Sequence, residues 1–113
     1  MVVRQNEYRR ELREHMRGGE GTVEMLHFVS EKPKNCRVMA VMEFDEGDSI
    51  GDHQHSGETE LYYILQGEAT VTDGGEKVVV GVGDSVLTGN GATHSIQNTG
   101  KGMLRVLAVV IQE

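Results

Sequence analysis

A chain of 113 residues is sized for one domain and can bury a core without disulfide staples. Its apolar share is 37%, with three Tyr, two Phe and no Trp, so Val, Leu, Ile and Met must fill the interior. A net charge of −7 repels phosphate backbones and argues against nucleic acid as a partner, and the lack of any run of eighteen apolar residues excludes a membrane-spanning helix.

The charge is uneven. Residues 1–17 hold five arginines against three glutamates, and the remaining 96 hold six basic and fifteen acidic side chains. The stretch RQNEYRRELREHMR (residues 4–17) lacks Gly, Pro and β-branched residues and predicts a helix ended by Gly18-Gly19. Tyr8, Leu12 and Met16 would form its thin apolar stripe, and His15 would be a surface histidine. Residues 1–20 thus read as a helical arm, free to dock on the acidic body of its own or a neighbouring chain.

From Gly21 the signal is β. Fifteen glycines against one proline indicate tight turns between short strands. Strands are expected at residues 22–30 and 36–44, the second placing Val38, Ala40, Met42 and Phe44 on one face. The lone Cys36 has no disulfide partner within the chain and no nucleophile signature. Together with the lack of an apolar signal core, it predicts a cytoplasmic protein. Residues 61–65 are nearly all apolar and read as a strand buried on both faces. Asp73-Gly74-Gly75 marks a hairpin between residues 68–72 and 76–80. Short strands at 85–88, 93–98 and 103–111 complete about nine, the pattern of a sandwich or barrel over residues 21–113.

Within that frame, residues 47–67 stand out. His53 and His55 are two apart, so on a strand they face one way, and Glu60 follows after Ser56-Gly57, where the chain can bend back. Glu58 is the competing carboxylate, expected at the cavity mouth or in solvent. Tyr62 and Ile64 share the parity of Glu60. His94 lies in a second strand-and-turn setting. Imidazoles and a carboxylate are ligand types that divalent transition metals choose.

These two stretches resemble the motifs of the cupin superfamily. The first motif is a glycine, five residues, His-x-His, four residues, a glutamate, six residues and a glycine, and Gly47, His53, His55, Glu60 and Gly67 fill it in register. The second is a glycine, five residues, Pro-x-Gly, two residues, a histidine, three residues and an asparagine. Gly83, Gly91, His94 and Asn98 fill that one, with Gly89 where the family usually has proline.

The resemblance implies an all-β double-stranded jelly-roll barrel, with one divalent metal (Fe, Mn, Ni, Zn or Cu) on His53, His55, Glu60 and His94. It implies a metal-dependent enzyme of oxygenase, decarboxylase or isomerase type acting on a small organic molecule. The alternative is a small-ligand-binding or sensor protein without catalysis. A general base, where needed, would come from Tyr62, Glu58 or His27. Asn98, Gln97, Gln54 and Tyr62 are candidates for orienting the histidines, and Arg37 and Arg105 could meet a substrate carboxylate or stay solvated. A homodimer is expected, since cupins commonly cover sheet edges by pairing subunits.

Overall fold

Strand side chains alternate between two faces, so a chain of short alternating strands buries its apolar faces by laying one sheet on another. The computed structural model describes residues 1–113. Its strands are β1 (Arg9–Glu14), β2 (Thr22–His27), β3 (Cys36–Phe44), β4 (Ser49–Gln54), β5 (Glu58–Gln66), β6 (Glu68–Asp73), β7 (Glu76–Gly81), β8 (Ser85–Thr88), β9 (Thr93–Asn98) and β10 (Leu104–Gln112). One sheet has the order β1-β2-β3-β10-β5-β8 and the other β4-β9-β6-β7, with all pairings antiparallel. The expected jelly-roll architecture is present.

The core lies between the sheets. From the larger sheet come Ala40, Met42 and Phe44 on β3, Leu104, Val106 and Ala108 on β10, and Tyr62 and Ile64 on β5. Ile50, Ile96, Ala69, Val71 and Val80 meet them from the smaller one. The predicted parity of β3 and of Glu60, Tyr62 and Ile64 holds, since these residues face inward. The run 61–65 is buried on one face only: Tyr63 and Leu65 stay 40% and 38% exposed on the outer surface of the larger sheet. No helix covers that surface, so the outward positions remain open.

The N-terminal arm departs from the helical expectation. Its only helical pieces are 3-10 turns at Gln5–Glu7 and Met16–Gly18, with β1 between them. An isolated helix of about fourteen residues is marginal in water. Here residues 9–14 instead pair in full register with residues 22–27 of β2. Charge supports that pairing, because Arg10 forms an ion pair with Glu24 and His27 Nε2 lies 2.9 Å from Glu11. The supposed apolar stripe divides: Tyr8 packs on Phe28, Leu12 is exposed, and Met16 turns into the core. The basic segment therefore docks on its own chain. No helix is long and apolar enough to cross a membrane.

Candidate metal centre

The four residues singled out by spacing converge where β4, β5 and β9 face one another. His53 on β4 sits directly opposite His94 on β9. A bulge between Ile50 and His53 changes the strand's phase, so Ile50 packs in the core and His53 still aims inward. His55 lies just past the end of β4, held by backbone hydrogen bonds from His55 to Ala92 and from Gly91 to His55. Gly57, at φ 71, makes the bend that returns the chain to β5 and brings Glu60 back to the histidines.

Their ligand atoms all lie within 4.8 Å of one another. His94 Nε2 is 2.9 Å from His55 Nε2 and 3.0 Å from both His53 Nε2 and Glu60 Oε1, and His55 Nε2 is 2.8 Å from that oxygen. Bonds of about 2.1 Å from one ion to such donors separate neighbouring donors by roughly 3.0–3.4 Å. The group has the dimensions of a coordination shell.

The outer ring nitrogens fix what the inner ones offer. His53 Nδ1 is 2.8 Å from the Gly51 carbonyl and His55 Nδ1 is 2.6 Å from Glu58 Oε2. Neither partner can donate, so each Nδ1 carries the proton and each Nε2 presents a lone pair inward. His94 Nδ1 meets the Thr88 hydroxyl at 2.9 Å. Thr88 stands opposite Glu60 in the β5–β8 pair, so one cross-strand pair supplies both a ligand and the support of another. Burial holds His94 below the ordinary histidine range despite Glu60 beside it. Burial pushes Glu60 upward, but the imidazoles packed on it, when they carry a second proton, outweigh that by hydrogen bonds and charge and hold the carboxyl at about 2, so it is ionised. Neutral imidazole nitrogens and an ionised carboxylate, crowded together and nearly dry, are an acceptor set that a divalent cation satisfies. His53, His55, Glu60 and His94 fit a metal ion.

The orienting partners differ from those expected. Gln54 bonds the Gly91 carbonyl, Gln97 the Gly47 carbonyl, and Asn98 ties Phe44, Gly100 and Gly102 together. None reaches a histidine ring nitrogen. Glu58, expected at the mouth or in solvent, instead holds His55 and is gripped at both oxygens by Arg37, at 2.9 and 2.7 Å. Tyr62 stacks on the His94 ring at 4.7 Å and 7°. Burial, then the charge of Glu60, raise its phenol well above the usual range, so it keeps its proton. His27 is tied to Glu11 on β1, and Arg105 to Glu43 on the β3–β10 pair. Cys36 is buried against the Val38 carbonyl.

A cavity of about 70 Å³ opens beside the cluster, walled by Met25, Val38, Met42, Ile50 and Tyr62. Arg13, Met16, Arg17 and Arg37 also line it. Three of those four lie in the N-terminal segment, whose helical reading concealed them. Only the bare excess of arginine there hinted at such a role. In the second motif, a Cβ on Gly89 would lie 2.5 Å from Thr59 Oγ1, so any side chain there, proline included, requires Thr59 to shift.

Residues 40–110 match the family described as the cupin domain. This chain belongs to the cupin family. The cupin is 45% identical over 113 residues to the oxalate-binding protein of Thermotoga maritima, covering 98% of this chain and 93% of that one. The crystal structure of a predicted oxalate decarboxylase from Thermotoga maritima superposes with a TM-score of 0.94 at 44% identity, over the whole of both chains. Quercetin 2,3-dioxygenase of Bacillus subtilis is 30% identical over 87 residues, which are 71% of this cupin but only 26% of the dioxygenase.

Proposed function

We propose that this cupin binds a small dicarboxylic acid, of which oxalate is the simplest, at a divalent metal held by His53, His55, Glu60 and His94. The observation that carries the reading is the cavity beside the cluster. About 70 Å³ is roughly five water-sized spheres, the size of an acid of five or six heavy atoms. A divalent ion offset by the single charge of Glu60 leaves the centre positive, and arginines line the same cavity. The likeness to an oxalate-binding protein supports the same ligand class.

When bound, the metal supplies Lewis-acid attraction for a carboxylate. The chain supplies the rest. Gly51, Glu58 and Thr88 fix the imidazoles, the apolar wall excludes water, and Tyr62 offers a hydroxyl that stays protonated. A second reading, turnover of the acid by decarboxylation or oxygenation, rests on Tyr62, whose protonated hydroxyl belongs to the cavity wall as a hydrogen-bond donor. Glu58 is engaged by Arg37 and His55, and His27 by Glu11, so neither is available as a base.

The test is metal content of protein purified without added metal, followed by calorimetric titration with oxalate. Near one equivalent of Fe, Mn, Ni, Zn or Cu is expected in wild type and little in His55→Ala, with oxalate binding only to the loaded protein. Wild type that takes up no metal on reconstitution would end this reading. Release of carbon dioxide from oxalate, or oxygen uptake, selects the catalytic form, and tight binding without turnover the binding form. The chain is also proposed to pair with a second copy through the outer face of the larger sheet, where Tyr63, Leu65, Leu87 and Ile111 are exposed. A monomeric mass by light scattering at micromolar concentration rejects that pairing.

A further inference from the structure

Three arginines line the cavity, and two of them are committed. Arg13 Nη2 is 3.1 Å from Glu11, and Arg37 grips Glu58. Arg17 has neither an ion pair nor a side-chain hydrogen bond among those the structure forms, although the body of the chain is rich in carboxylates. Arg17, exposed to solvent and always charged, lines the same cavity as His53, His55 and Glu60.

The backbone that carries Arg17 is held in place at a cost. Arg17 has φ 54 and ψ 32, and His15 has φ 48, two left-handed non-glycine residues within three positions. Each such residue is disfavoured by about 1–2 kcal/mol and persists where the surroundings over-determine it. The surroundings do so here. The Arg17 carbonyl lies only 2.1 Å from where a Cβ on Gly51 would sit, and a Cβ on Gly19 would lie 2.2 Å from the Ser49 carbonyl. Two glycines thus let the turn seat directly on β4, the strand that carries His53. Met16 anchors the same turn in the core, and the His15 ring bonds the Gly19 carbonyl.

We infer that Arg17 is the specificity-determining residue of the site, pairing with the second carboxylate of a small dicarboxylic acid whose first carboxylate faces the metal cluster. The inference rests on the small-acid reading above and adds the residue that separates a dicarboxylate from a monocarboxylate of the same size. A planar guanidinium suits a carboxylate, and of the three in the cavity wall only that of Arg17 is not already paired with one.

The experiment compares oxalate with glycolate, a chelator of similar size bearing one carboxylate, by calorimetry on metal-loaded wild type, Arg17→Met and Arg17→Lys. Arg17→Met is expected to weaken oxalate roughly tenfold or more, the scale of one lost charge-assisted hydrogen-bonded pair. Glycolate should change less than about twofold on that same reasoning, and Arg17→Lys should fall between for oxalate. Metal content and Tm, measured on all three proteins, should be unchanged, because Arg17 touches no ligand and holds no ion pair. Equal oxalate affinity in wild type and Arg17→Met overturns the assignment and leaves the small-acid reading standing. A parallel loss for both acids also overturns it. Loaded wild type that binds neither acid overturns both.

Discussion

Replacing Glu58 with alanine removes the partner of His55 Nδ1 while leaving all four inward ligand atoms in place. The 2.6 Å contact is charge-assisted and its carboxylate is only 15% exposed, so solvent screens it little. Arg37 on the other side is 41% exposed, which reduces the share of the Arg37–Glu58 pair to a surface ion pair's fraction of a kcal/mol. The effect should therefore run through His55, whose ring loses both its orientation and the negative charge that strengthens Nε2 as a donor to metal. Loss of such a partner costs about 10–100-fold in metal affinity, or about 1.4–2.8 kcal/mol. Glu58→Gln should lie near the low end, since an amide oxygen still accepts from Nδ1. The assay is competition for zinc against a chromophoric chelator, with Arg37→Met as the control expected to change affinity only slightly. If Glu58→Ala binds zinc as wild type does, the orienting role of Glu58 is refuted.

Gly51→Ala should destabilise the fold by about 1–3 kcal/mol, because its Cβ meets a backbone carbonyl that cannot rotate away, and thermal unfolding will show it as a Tm lowered by several degrees. The turn bearing Arg17 should loosen in the same variant, seen as faster amide exchange over residues 15–19. Tyr62→Phe keeps the stack on His94, so metal content and Tm should match wild type while any turnover of oxalate drops, and undiminished turnover removes Tyr62 from the chemistry. In acid, stability should fall. The hydrogen bond from Arg37 holds Glu58 below its usual range against the pull of burial, and Arg13 and His27 hold Glu11 at about 2. Both carboxyls thus bind protons more weakly folded than unfolded, so their stabilisation is complete above the unfolded range near ~4.3 and drains away as pH falls toward 2. Urea unfolding at pH 7, 5, 4 and 3 should show this slope, and Glu11→Gln/Glu58→Gln should flatten it. Parallel slopes would refute the assignment.

The grouping of His53, His55, Glu60 and His94 was legible because its parts obey local rules. A two-residue spacing puts His53 and His55 on one side, a glycine permits the return bend, and parity then carries Glu60 and Tyr62 inward together. What supports the cluster was not legible. The Glu58–His55 contact depends on how tightly the bend at Gly57 closes, and Thr88 reaches His94 only because β8 is paired with β5 across the barrel. The N-terminal arm departs from its local preference for a different reason. Residues 9–14 favour helix by themselves, but the unpaired edge of β2 and the carboxylates of Glu24 and Glu43 reward an extended partner, and sheet pairing overrides propensity. A helix over residues 4–17 places Arg13, Met16 and Arg17 by its own periodicity, and only the sheet pairing brings them to the cavity wall.

The fit between Gly89 and Thr59 runs both ways. With Thr59 as it stands, a Cβ at position 89 crowds its hydroxyl, and with Gly89 present that hydroxyl has room to bond Glu113. The two positions are coupled: a side chain at position 89 requires Thr59 to turn its hydroxyl away from Glu113 or to give way to a smaller residue.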